Sequence, residues 1–205
     1  MNRLPLCVLV TALIATSAFA EDFILTVNGH KVELDLDQTV TAKLDDGTPL
    51  QLTLRQKEIL RFKSDLFSFE HKNVYKPNRN DLGSGIFQTM AVTPLGTGVL
   101  VQEYTSIDPT PLVEMMLHEV TKEEIDYGYK YVAEEITKQV GEFTLKGKQA
   151  VTSYGDEEWT RAVLAYGKKD RGVLVMTFVE KENAATEMEL IDRFWKTFEI
   201  DEKLK

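Results

Sequence analysis

Val173-Leu174-Val175-Met176-Thr177-Phe178-Val179 decides the fold, because both of its alternating faces are apolar with the exception of Thr177. Successive side chains of a strand point to opposite sides, so a strand of this kind avoids water on both. It belongs in the middle of a sheet covered on both faces, and helices must supply the cover. Two stretches qualify. Glu187 to Phe198 carries Leu190, Ile191, Phe194, Trp195 and Phe198 as a broad apolar stripe at helical spacing. Residues 111–138 carry two stripes, one of Val113, Met116, Leu117 and Val120, the other of Ile125, Tyr129, Val132 and Ile136. The step from 120 to 125 breaks the three-and-four spacing, and Thr121 with Glu124 makes a capping-box pattern in the gap. This stretch therefore predicts two short helices or one kinked helix, ending before Gly141.

Outward from the decisive strand, 143–145, 148–154 and 159–166 read as further strands of an antiparallel meander. Upstream, 86–93 and 99–104 are β segments joined by Pro94-Leu95-Gly96-Thr97-Gly98, and Phe67-Ser68-Phe69 is a short strand. The polar stretch 72–85, with Pro77, Asn78 and Asn80, reads as a loop. Asp108-Pro109-Thr110-Pro111 opens the helical region with a capping side chain ahead of prolines tolerated in a first turn. The expected fold class is α+β: a largely antiparallel sheet covered by helices on both faces, an α/β/α sandwich over residues 61–205. Residues 21–60 form a small N-terminal β element. Phe23, Leu25 and Val27 alternate with polar neighbours, Asn28-Gly29 signals a hairpin, and Val32, Leu34 and Leu36 resume the alternation. A second turn cluster, 45–49, lies between Val40 to Leu44 and Leu50 to Leu54, and Gln56 to Lys63 is the connection to the main domain.

The first twenty residues read as an address. Arg3 precedes an apolar run from Leu4 to Ile14, and Ala18-Phe19-Ala20 supplies small residues for cleavage after Ala20. The run is shorter than the roughly 20 residues that span a bilayer, so it predicts export to a periplasm rather than a membrane anchor. Removing residues 1–20 takes away one basic residue and no acid, so the formal net charge of −9 becomes −10. So acidic a chain is poorly suited to general nucleic-acid binding or to an anionic membrane surface. Cys7 is the sole cysteine, so the exported chain has no disulfide, thiolate metal site or cysteine nucleophile.

The constellations that carry chemistry are incomplete. His118-Glu119 begins a zinc-protease motif, but position 122 is Lys where the second imidazole is required. His30 and His71 are scattered, and the acidic pairs (45–46, 123–124, 134–135, 156–158) read as solvated faces and turns. There is no nucleophile elbow, and Gly83-Ser84-Gly85 and Gly96-Thr97-Gly98 are too short for a phosphate loop. No cofactor, metal or catalytic residue is implied.

Two surfaces remain as candidates for partner binding. Alternate turns of a meander fall at the same end of the sheet. A turn at Lys146-Gly147-Lys148 and a turn at Gly167-Lys168-Lys169-Asp170-Arg171 would therefore be neighbours, giving a cationic rim on an acidic body. Charged hairpin tips usually serve solubility, but this rim could also orient an anionic partner. The second surface is aromatic: Tyr127 and Tyr131, one helical turn apart, flank Tyr129 of the apolar stripe. Packing at the core edge is their ordinary use, and exposed tyrosines favour interfaces.

The element order, a hairpin, a helical crossover, three meander strands and a closing helix, resembles the Mog1/PsbP-like fold over roughly residues 64–200. The segments that carry the resemblance are Gly147-Lys148-Gln149-Ala150, Glu158-Trp159-Thr160-Arg161, the 172–178 strand and Phe194-Trp195-Lys196-Thr197-Phe198. The resemblance implies a small accessory or binding module that docks on larger assemblies and brings no catalytic residues. The expected function is thus an exported, non-catalytic accessory protein that binds a protein or envelope component, without membrane insertion. The alternative is a periplasmic hydrolase or small-ligand binder, with His71, the 72–85 loop and Asp108 as candidates.

Overall fold

The structure, a computed structural model, describes residues 23–44 and 46–205. The expected export signal and its cleavage site lie outside the described residues, as does Asp45. The chain divides into two units, Met1–Gln56 and Lys57–Lys205.

The first unit is built from two hairpins. Strand β1 (Phe23–Val27) pairs with β2 (His30–Leu34) across the Asn28-Gly29 turn, and both turn residues adopt the positive φ that such a turn requires. Strand β3 (Thr39–Lys43) pairs with β4 (Pro49–Thr53), and a bridge between Leu36 and Leu54 ties the hairpins together. Leu34 is buried, whereas Phe23, Ile24 and Leu25 are exposed.

The second unit contains ten strands and two α-helices. In chain order these are β5 (Ile59–Lys63), β6 (Phe67–Lys72), β7 (Asn78–Gly83), β8 (Ile86–Val92), β9 (Gly98–Tyr104), α1 (Val113–Tyr127), β10 (Lys130–Val140), β11 (Phe143–Tyr154), β12 (Glu157–Lys168), β13 (Arg171–Glu180), α2 (Ala184–Thr197) and β14 (Glu199–Ile200). Seven strands make one antiparallel sheet in the order β10-β11-β12-β13-β9-β8-β7. The decisive apolar strand is β13, the central one. Its Leu174 and Met176 pack with Val113 and Leu117 of α1, and its Val173, Val175 and Val179 pack with Leu190, Ile191 and Phe194 of α2. The sheet is therefore covered on both faces. Three short strands, β14-β6-β5, lie on the α2 side, where Phe67 and Phe69 join the same core.

Four expectations are corrected. The helical stretch is not two short helices but one, running unbroken from Val113 to Tyr127. The apolar stripe continues through polar residues that are satisfied in place: buried Thr121 donates to the Leu117 carbonyl, and Glu124 binds Arg161. Nor does the helix reach 138. Gly128 adopts φ 108°, and the N–H groups of Gly128 and Tyr129 close on the carbonyls of Ile125 and Glu124, a left-handed cap that L side chains resist. Residues 130–140 are instead strand β10, in which Val132, Ile136 and Val140 share one face at even spacing that also fits helical periodicity. The expected turn at 146–148 is the interior of one long strand, β11. A Cβ on Gly147 would lie 1.9 Å from the Val163 carbonyl oxygen, so the glycine permits close strand approach rather than a turn. Lastly, the 72–85 loop contains the polar edge strand β7, and the 56–63 connection contains β5.

Glu187, in the first turn of α2, fastens that helix to the β8–β9 hairpin. Its carboxylate accepts from the Thr93 hydroxyl at 2.6 Å and the Leu95 N–H at 3.3 Å. Burial pushes this carboxyl up, but the hydrogen bonds from Thr93 and Leu95, with Thr97 close by, outweigh it and leave the pKa below its ordinary 4.5. A lowered folded-state pKa stabilises above the ordinary value and is lost as pH falls through the lowered one. Urea unfolding of Glu187→Gln should therefore show a stability deficit near neutral pH that narrows below pH 4.5. A deficit independent of pH would remove the carboxylate's role.

Candidate functional site

The cap at Gly128 turns the chain from the end of α1 into β10 and leaves Tyr127 and Tyr129 on either side of the turn. The β11–β12 hairpin ends beside them, because Tyr154 and Glu157 are cross-strand partners flanking its tip. The result is a corner of three tyrosines. Ring centroids lie 6.0 Å apart for Tyr127–Tyr129, 5.5 Å for Tyr127–Tyr154 and 5.4 Å for Tyr129–Tyr154. Tyr127 is 71% exposed and Tyr154 52%. Together with Glu123, Glu124 and Glu157 they line an open hollow of about 410 Å³.

Electrostatics divide the three carboxylates. Tyr129 donates its hydroxyl to Glu157, and this bond foremost, then burial and the surrounding acids, push the phenol up to about 12. Glu124 is consumed by a bidentate pair with Arg161, at 2.6 and 2.8 Å, and accepts the Thr152 hydroxyl as well. Arg161 also lies 5.0 Å from the Trp159 ring centre. Glu123 has no ion pair among the described residues. The corner therefore offers aromatic surfaces and negative charge, the combination that receives an organic cation or a basic side chain.

The other sequence candidates fall elsewhere. Tyr131 sits on β10 opposite Thr152, so it is not one helical turn from Tyr127. Lys146 and Lys148 lie within β11 opposite Ala165 and Val163, not at a turn beside 167–171. They help line a separate open groove of about 790 Å³ under the start of α1, together with Glu114, Glu135 and Gly167. Lys148 is paired with Glu114, and that bond raises its ammonium pKa. Lys168 and Arg171 flank the β12–β13 turn that holds Lys169, and Arg171 reaches Asp170 at 3.3 Å. The hairpin tip on which the expected cationic rim rested does not form: Lys146 and Lys148 lie inside β11, and Lys168, Lys169 and Arg171 lie at the β12–β13 turn. His71 is buried, with Nδ1 hydrogen-bonded to the Lys72 carbonyl and its ring against Phe69. Asp108 receives the Thr110 N–H and hydroxyl at the opening of the 3-10 turn ahead of α1. Both are occupied in local structure. His118 is exposed on α1. Among the described residues no group of His, Cys, Asp and Glu is arranged to hold a metal ion.

Tyr154, Glu157 and Arg161 belong to this corner, and the sequence reading did not place them there. The available signal was the hairpin at Tyr154-Gly155-Asp156-Glu157, where the flanking residues must oppose each other.

These parts define an α+β antiparallel sandwich carrying an aromatic and acidic surface corner. In fold the chain is similar to cyanobacterial PsbP (CyanoP) from Synechocystis sp. PCC 6803, at a TM-score of 0.46 and 10% identity over 70% of this chain and 93% of that one. It is also similar to a protein from Bacteroides thetaiotaomicron VPI-5482, at a TM-score of 0.40 and 12% identity over 71% of this chain and 49% of that one. The resemblance to the PsbP-like fold is one of architecture at low identity. No family model matches the sequence, and no curated protein matches it.

Proposed function

We propose that this chain is an exported, non-catalytic accessory protein that binds a protein of the cell envelope through its tyrosine corner, the partner presenting a basic segment. The observation that carries this reading is the exposure of Tyr127 and Tyr154 as touching rings beside Glu123 and Glu157. Tyrosines of this kind bury large area at low entropic cost and recur as interface anchors. The carboxylates select for positive charge and speed its arrival. The exposed Phe23-Ile24-Leu25 strand of the first unit supports the same class of function, as an edge on which a partner's sheet can be extended.

The test is crosslinking of the tagged protein in its own periplasm, with the captured species identified by mass spectrometry. Replacing Tyr127 and Tyr154 together by alanine should lower capture of a reproducible partner by about 10- to 100-fold, the loss expected of two anchor residues. Reversing Lys168, Lys169 and Arg171 to Glu should leave capture intact. The opposite pattern would move the docking surface to the β12–β13 turn. A second reading, binding of a small ligand, is favoured by the 790 Å³ groove, whose lining brings Lys146 and Lys148 together with Glu114 and Glu135. A thermal shift with small zwitterions, abolished by Lys146→Ala, would support it.

A further inference from the structure

The two edges of the seven-stranded sheet are built differently. Strand β7 is a blunted edge: six exposed residues, Asn-Arg-Asn-Asp-Leu-Gly, with a register irregularity between Asp81 and Gly83. Short length, polar side chains and bulges are the usual means of stopping sheets from joining. Strand β10 has little of this. It runs eleven residues without proline, glycine or bulge, in unbroken register with β11 from Lys130 to Val140. Among the described residues no strand pairs with its outer side. Val132 on this edge is 69% exposed and Tyr131 40%. Its four charges, Lys130, Glu134, Glu135 and Lys138, are the one feature that would discourage pairing, so their arrangement decides what the edge accepts.

We propose that β10 pairs antiparallel with β10 of a second copy of this chain, about a two-fold axis through Ile136. Directly opposed residues share a face, so a two-fold pairing must centre on a residue. Centring on Glu134 would oppose Glu134 to itself and Lys130 to Lys138. Centring on Glu135 would oppose that carboxylate to itself. Centring on Thr137 would set Lys138 against Ile136 and Glu134 against Val140. Centring on Ile136 opposes Ile136 to itself, Val132 to Val140, and Glu134 to Lys138, each of the last two twice by symmetry. Centring on Val132 would also oppose Lys130 to Glu134, but it overlaps only residues 130–134 of each strand, whereas the Ile136 register overlaps 132–140. Opposite charges directly across a sheet attract and like charges repel, so the Ile136 register turns the edge charges from a barrier into a match over the longest charge-matched overlap. The pairing makes one continuous sheet through both copies and removes an exposed edge from each. It leaves the tyrosine corners, beyond the Lys130 end of β10, at the outer ends of the joint, so each dimer carries two.

The test uses the exported protein isolated from cells expressing the full chain, studied by sedimentation velocity across a concentration series. The expected result is a concentration-dependent dimer. Lys138→Glu opposes two carboxylates twice and should weaken the dimer at least tenfold. Glu134→Lys should do the same, and the double exchange Glu134→Lys/Lys138→Glu should restore it. Ile136→Cys should give a covalent dimer under oxidation, because that position alone meets itself; the sequence has no cysteine after position 7. Ala133→Cys, which opposes Gln139, should not. A monomer at the highest concentrations overturns the proposal. So does a dimer that ignores the charge exchanges, since its interface must then lie elsewhere. Crosslinking of the Ile136→Cys variant to another protein instead of to itself would assign the edge to a foreign strand and would equally overturn it.

Discussion

Phe194→Ala should lower the unfolding free energy by about 3–5 kcal/mol, the range for deleting a fully buried aromatic ring. Phe194 is completely buried on α2, with ring centroids 5.1 Å from Phe69, 4.7 Å from Phe198 and 5.0 Å from Trp195. It is the point where the helix, the short strand β6 and the central sheet meet, since Phe69, Val175 and Leu190 belong to the same apolar cluster. The neighbours are themselves aromatic and rigid, so they cannot collapse into the space the ring leaves, and the cavity remains. A urea titration should show a lower midpoint with an unchanged slope, and the thermal midpoint should fall by about 10 °C. Phe194→Leu, which keeps most of the volume, should lose less than half as much. A loss below about 1 kcal/mol would mean that α2 is not seated on the sheet, and with it the covered-sheet reading of β13 would fail.

What the sequence disclosed follows from which signals were two-sided. The doubly apolar 173–179 strand and the wide stripe of 187–198 each have one physical explanation, and the structure places them at the sheet centre and on its α2 face. Residues 125–138 were ambiguous in kind. Val132 and Ile136 are four apart, a spacing that serves a helix and, being even, also serves one face of a strand. Gly128 was the arbiter, since a glycine in mid-helix is costly whereas at the cap it is preferred. Lys146-Gly147-Lys148 misled for the converse reason: glycine between charged residues suggests a turn, and here it accommodates the β12 backbone. That misplacement removed one of the two turns from which the cationic rim was argued. The tyrosine corner was half legible. Tyr127 and Tyr129 stood out as aromatic residues, but their partners Tyr154 and Glu157 arrive from a hairpin about thirty residues on, and only the register of β11 with β12 brings them in.

The Arg161–Glu124 pair should prove the most sensitive link between the fold and that corner. Arg161→Ala is expected to lower stability by about 3 kcal/mol, at the lower end for breaking a buried ion pair. The lower end applies because the two side chains keep 13% and 19% of their exposure. The loss arises chiefly from stranding Glu124, which would retain the Thr152 hydroxyl but no cation. Glu124→Ala should be comparable, because it strands Arg161 against the Trp159 ring. Removing both charges, as Glu124→Leu/Arg161→Met, should recover most of the stability, since neither charge then has to be taken out of water. A cycle closed with the matching singles, Glu124→Leu and Arg161→Met, should accordingly be strongly non-additive, the double variant losing far less than the sum of the two single losses. The corner extends this cycle to function. Glu124 lies one turn before Tyr127, so each single change loosens the end of α1 that presents the ring, and capture of the partner should fall with stability. In the double variant capture should return, because Glu124 spends its charge on Arg161 rather than on the hollow, and the carboxylates proposed to receive the partner's positive charge are Glu123 and Glu157. Stability restored without capture would show instead that the partner reads the Glu124 charge itself.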